Sequence, residues 1–69
     1  MAKGALKFMP IIHVNILEGR SQEKIEQLIT NVTNTVAETL DAPKESIRVL
    51  VVEVQKTHWG VGGIPKSKN

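Results

Sequence analysis

A strand, a helix and a second strand paired in parallel with the first are what this 69-residue sequence predicts: a small α/β subunit that must assemble. Three observations predict it. From Pro10 to Leu17 the residues alternate, Ile12, Val14 and Ile16 on one side and His13 and Asn15 on the other, which is the period of a strand. Ile25, Leu28, Ile29, Val32, Val36 and Leu40 then fall on one stripe at helical spacing. Ile47 to Val54 closes the pattern as a short run rich in Val, Ile and Leu.

Each boundary has a local cause. Glu18-Gly19-Arg20 turns the chain after the first strand, and Ser21 is an N-cap whose hydroxyl can take up an orphan helix N–H. Glu23 in the first turn suits the positive end of the helix dipole. The capping box is only half present, because Lys24 stands where an acid is expected. The helix, about five turns long at 3.6 residues per turn, ends at Asp41-Ala42-Pro43, since proline disfavours helical geometry in the residue before it. Two strands joined by a crossover helix should be parallel, with a right-handed connection.

The second strand is apolar on both sides, Ile47, Val49 and Val51 on one and Leu50, Val52 and Val54 on the other. One helix covers one face of a small sheet. Parallel sheets are normally covered on both, so a second copy of the chain is expected on the face the helix leaves bare. Length points the same way. A chain this short barely offsets a conformational entropy of roughly 1.5 kcal/mol per ordered residue, and with no cysteine it has no disulfide or zinc-thiolate staple.

Composition excludes several functions. A formal charge of +2 is that of an ordinary solvated surface, and Phe8 and Trp59 are the only aromatic residues, which leaves no stacking platform for nucleic acid. No apolar run approaches the ~20 residues of a membrane span, and the leading segment has no secretory h-region, so the expected location is cytoplasmic. His13 and His58 are isolated, with no metal-ligand spacing. Gly60-Val61-Gly62-Gly63 lacks the Lys-Ser/Thr ending of a phosphate-binding loop and reads as a turn. Asn31-Val32-Thr33 matches a glycosylation sequon but lies within the predicted helix.

Two arginines stand out. Arg20 occupies the strand-to-helix turn, and Arg48 interrupts an apolar strand, where an unpaired guanidinium is costly to bury and should meet something anionic. On generic grounds that partner is Glu53 or Asp41.

Pro10 after Met9, the run Leu17-Glu18-Gly19-Arg20-Ser21, then Ser46-Ile47-Arg48-Val49 and His58-Trp59-Gly60-Val61-Gly62-Gly63, together resemble the 4-oxalocrotonate tautomerase family without gaps from Pro10 to about Gly63. The resemblance implies a domain over residues 10–69 behind an extension of residues 1–9. It implies a homohexamer built as a trimer of dimers, with Gly60 to Ile64 forming a small hairpin that docks on a neighbour. It also implies a catalytic proline at the free N-terminus, here Pro10. Arg48 would bind the carboxylate and polarise the carbonyl of the substrate, and Arg20 would bind the distal carboxylate, the two arginines coming from different subunits. Leu17 and Trp59, the latter where the family typically has Phe, would line the substrate pocket.

The chemistry implied is a proton shuttle on an unsaturated 2-hydroxy or 2-oxo acid, such as a small dicarboxylate resembling 2-hydroxymuconate. A neutral Pro10 amine takes a proton and returns it to a different carbon, without metal or organic cofactor. An apolar pocket and a nearby Arg48 disfavour the ammonium form, so the pKa of Pro10 should lie below the ordinary α-amino value of ~7.7 to 8. Eight residues precede Met9, however. While they are attached, the nitrogen of Pro10 is an amide with its lone pair delocalised and has no basicity. Initiation at Met9, removal of the extension and retention of it are all open. In the retained case the alternative is an oligomeric small-carboxylate-binding protein without this catalysis. Leu6 and Phe8 share the parity of Pro10, so the first strand could also extend back to Leu6.

Overall fold

The computed structural model describes residues 9–68. Strand β1 (Ile11–Leu17), helix α1 (Gln22–Leu40) and strand β2 (Arg48–Val54) form the expected βαβ unit, with β1 and β2 paired in parallel from Ile11↔Arg48 to Leu17↔Val54. A short hairpin follows, β3 (Gly60–Val61) against β4 (Ile64–Pro65), antiparallel. Its loop is Gly62-Gly63, and both residues have positive φ, 61° and 87°. A two-residue hairpin loop matches the twist of its strands when both central residues adopt that geometry, which glycine does at no steric cost.

α1 begins as read from the sequence. Ser21 is extended, at φ −71° and ψ 158°, and its Oγ accepts from the backbone N–H of Lys24 at 3.3 Å. The C-terminus is made differently from the expectation. Asp41 takes the left-handed conformation, φ 58°, and Ala42 N–H donates to Ala37 O at 3.0 Å. Aspartate tolerates this region better than most L-residues because its short polar side chain can bond locally. The helix is thus already closed when Pro43 arrives. Pro43 caps a separate 3₁₀ turn, Lys44–Ser46, whose last hydroxyl donates back to Pro43 O at 2.8 Å and aims the chain into β2.

The helix packs chiefly on β2 and covers one side of the sheet. Ile12, Val14 and Ile16 of β1 and Val49 and Val51 of β2 are half-buried there. Leu40, assigned to the apolar stripe, lies at the helix end and is exposed. On the other side, Ile11 is 59% exposed and Leu50 and Val52 are each 46% exposed. Among the described residues only Ala42 and Ile47, at 7% each, are buried. A sheet of two strands and one helix has no closed interior, and the apolar face that remains is of the kind that marks an interaction surface. The reading that the first strand reaches back to Leu6 lies outside the described residues; Pro10 precedes β1 and joins the ladder only through its carbonyl, which accepts from Arg48 N–H at 3.0 Å.

Candidate active site

Pro10 and Arg48 are brought together by the parallel register. Because Ile11 pairs with Arg48, the backbone of Arg48 lies beside Pro10, at the entrance to the sheet. Their side chains part company, since neighbouring residues of a strand point to opposite faces. Arg48 shares the uncovered face with Ile11, whereas Pro10 has the parity of Ile12. The guanidinium of Arg48 donates through Nη1 to Glu45 O at 2.8 Å, with Ile47 O also within 3.5 Å. Neither Glu53 nor Asp41 is its partner in these contacts. Glu53 pairs with Ile16 on the helix side of the sheet, the face opposite to that of Arg48. The arginine satisfies itself on backbone carbonyls and keeps most of its donors and its whole charge.

Leu17, Arg20 and the approach to Trp59 lie at the opposite end. Glu18 N–H donates to Val54 O at 2.9 Å, continuing the ladder by one bond before Gly19, at φ 124°, swings the chain toward α1. Arg20 is exposed and donates through Nη1 to Leu17 O at 3.0 Å, a contact that fixes the base of the guanidinium and leaves its other edge open. Trp59 follows the far end of β2 through the turn Lys56–His58. It is half-buried, and its carbonyl accepts from Lys66 N–H at 2.7 Å, which ties the hairpin to the tail. At about 3.3 Å per residue, the length of β1 separates Pro10 from Arg20 by roughly 20 Å. No small acid spans that distance. Within one chain the five residues singled out do not come together: Pro10 and Arg48 lie at one end of the sheet with their side chains on opposite faces, and Leu17, Arg20 and Trp59 lie toward the other end.

The structure adds residues that the sequence did not single out as site residues. A cavity of about 320 Å³ opens where the end of β1 meets the first turns of α1, lined by Ile16, Arg20, Lys24, Ile25 and Leu28. Its floor is apolar and its two polar members are cations. Lys24 had registered only as the residue that spoils the capping box.

A parallel βαβ unit with an uncovered, largely apolar sheet face, followed by a short hairpin, defines a class: a small α/β subunit whose sheet is covered on one side only. Comparison gives the family. The profile of the family described as tautomerase enzyme matches residues 10–69, and the chain belongs to that family. A probable tautomerase of Staphylococcus haemolyticus is 52% identical over 59 residues, covering 86% of this chain and 95% of that protein. A 2-hydroxymuconate tautomerase of a Pseudomonas strain is 50% identical over 60 residues, covering 87% and 95%. Among solved structures, a heterohexameric 4-oxalocrotonate tautomerase of Chloroflexus aurantiacus superposes with a TM-score of 0.82 at 35% identity, covering 87% of this chain and 97% of that one.

Proposed function

We propose that this chain is a tautomerase that moves a proton within an unsaturated 2-hydroxy or 2-oxo acid, with the secondary amine of Pro10 as general base. The observation that carries the reading is that the family match begins at Pro10, the residue that precedes β1 and whose carbonyl is held by Arg48 N–H. Residues 1–9 form an extension to the domain of residues 10–69, and the working enzyme begins at Pro10. Met9 is 55% exposed, so the peptide bond to be severed stands at the surface. Initiation at Met9 followed by removal of that residue gives the same terminus.

The active site is completed between copies. Pro10 of one subunit and Arg20 of the same subunit lie too far apart to share a substrate, and the uncovered sheet face is the surface on which copies meet. The homohexamer of this reading has the same number of subunits as the heterohexameric Chloroflexus relative. Arg48 binds the carboxylate beside the reacting carbonyl, where a planar guanidinium offers two parallel hydrogen bonds and stabilises the negative charge that develops on the dienolate. Arg20 takes the distal carboxylate, and Leu17 and Trp59 line the pocket and keep water from the amine. The proton leaves the 2-hydroxyl for the Pro10 nitrogen as the carbonyl forms, and the ammonium then returns it to carbon along the conjugated chain. Charge and atoms balance without metal or organic cofactor. A base poised near neutrality gives a factor of about 10² to 10⁴.

The test is intact-mass analysis of the natively produced protein, paired with a ketonisation assay on a 2-hydroxydienoate using the same sample. A chain starting at Pro10 that turns over supports the reading. It also predicts that kcat/KM falls as pH drops through a value below the ordinary α-amino range, because the amine must be neutral to accept a proton. A chain that keeps residues 2 to 9 and binds small carboxylates without turnover is the alternative protein, in which the amide nitrogen of Pro10 has no lone pair to give.

A further inference from the structure

The cavity beneath Arg20 contains a residue with no role in the mechanism above. We infer that Lys24 is a specificity-determining residue that, together with Arg20, holds the remote carboxylate of a dicarboxylate substrate at the mouth of the cavity lined by Ile16, Ile25 and Leu28. This rests on the reading that the chain is a tautomerase for unsaturated acids and adds which of those acids it selects.

Three observations converge. Arg20 and Lys24 line the same cavity of about 320 Å³, and its other lining residues are aliphatic. The two cations are exposed and stand above an aliphatic floor. Arg20 spends one amino group on Leu17 O and keeps the outer edge of its fork free. Within α1 the residues three and four positions after Lys24 are Gln27 and Leu28, so helical spacing supplies no acid there, and Arg20 lies outside the helix, before the N-cap Ser21. An anion at the cavity mouth is within the reach of both cations that line it.

Lys24 also borders a more open concavity on the outer helix surface, lined by Glu23, Glu26, Gln27, Thr30 and Asn31. Glu26 is already engaged there, accepting from Gln22 Nε2 at 3.3 Å. A lysine that merely neutralised this surface would be indifferent to the substrate's second charge. That difference is measurable.

The chain beginning at Pro10 is assayed with 2-hydroxymuconate, which has two carboxylates, and with 2-hydroxypenta-2,4-dienoate, which has one. In Lys24→Gln the ratio of kcat/KM for the diacid over the monoacid falls about tenfold, equivalent to about 1.4 kcal/mol, mostly through KM. Lys24→Arg restores the ratio, and added salt erodes the wild-type preference. A ratio that stays within twofold of wild type in Lys24→Gln overturns the proposal. Muconate, a diacid without the reactive hydroxyl, is titrated by calorimetry into the same proteins. A protein that turns over neither acid but binds muconate through Lys24 refutes the tautomerase reading and keeps the two-cation site. Muconate binding indifferent to Lys24 refutes the site, whatever the turnover.

Discussion

On the helix side of the sheet, Ile12, Val14, Ile16, Val49 and Val51 are half-buried beneath α1; on the other side, Ile11, Leu50 and Val52 remain 59%, 46% and 46% exposed. The two faces are comparably rich in aliphatic residues. They differ in what covers them, and the chain supplies one cover. Had the bare face been an ordinary solvated surface, β2 would alternate apolar and polar as antiparallel half-exposed strands do. Instead Leu50, Val52 and Val54 occupy it. The covered face is closed within the chain, and the bare face is the one assigned to copies of the chain under the proposed function. The separation of Pro10 from Arg20 fits the same proposal, in which a site divided between the ends of one strand would close only where another subunit brings the missing end.

The comparison can be broken most completely at Val52. An aspartate there buries an unpaired carboxylate if copies meet on that face, so Val52→Asp should convert the oligomer to monomers and remove all turnover, read by sedimentation velocity and the ketonisation assay. Next comes Arg48→Ala, also on the bare face but at its edge. It should leave the assembly intact and lower kcat by about 10²- to 10³-fold, the cost of one oxyanion donor; an unchanged rate and affinity would sink the proposed site. On the covered side, Ile47→Ala removes one of the two buried side chains and should lower stability by about 2 kcal/mol or more in urea titrations at fixed protein concentration. The smallest effect belongs to the cover itself. Ser21→Ala deletes the 3.3 Å bond to Lys24 N–H and should cost about 0.5–1 kcal/mol, with the assembly unchanged.

Much of this was legible in the residues. Periods of 2 and 3.6 report burial directly, so β1, α1 and β2 follow from alternation and stripe, and the doubly apolar β2 announces a second face that the helix does not cover. Local chemistry with one outcome was legible too, as with the Ser21 cap and the Gly62-Gly63 turn. The end of α1 was less so: Pro43 is a conspicuous stop signal, yet Asp41 reaches the left-handed region two residues earlier, an option its side chain permits without announcing. Arg48 meeting Glu45 O rather than an acid was hidden because backbone carbonyls have no sequence signature. The strand register, and with it the separation of Pro10 from Arg20, needs coordinates. So does Lys24, whose sequence neighbours describe a poor helix start and whose spatial neighbours describe the wall of a cavity.

The ladder from Ile11↔Arg48 to Leu17↔Val54 joins residues that lie on either side of the whole of α1. Every contact of this ladder is therefore distant along the chain, while the contacts within α1 and the β3–β4 hairpin are local. High contact order slows folding, because loop closure must precede any reward from pairing. On the ribosome, α1 can coil as soon as it emerges, but the sheet waits for β2. Under the proposed assembly, the subunit then exposes its bare face until it meets another. Refolding from denaturant should accordingly show a fast helical phase independent of concentration and a later one whose rate rises with the number of chains present.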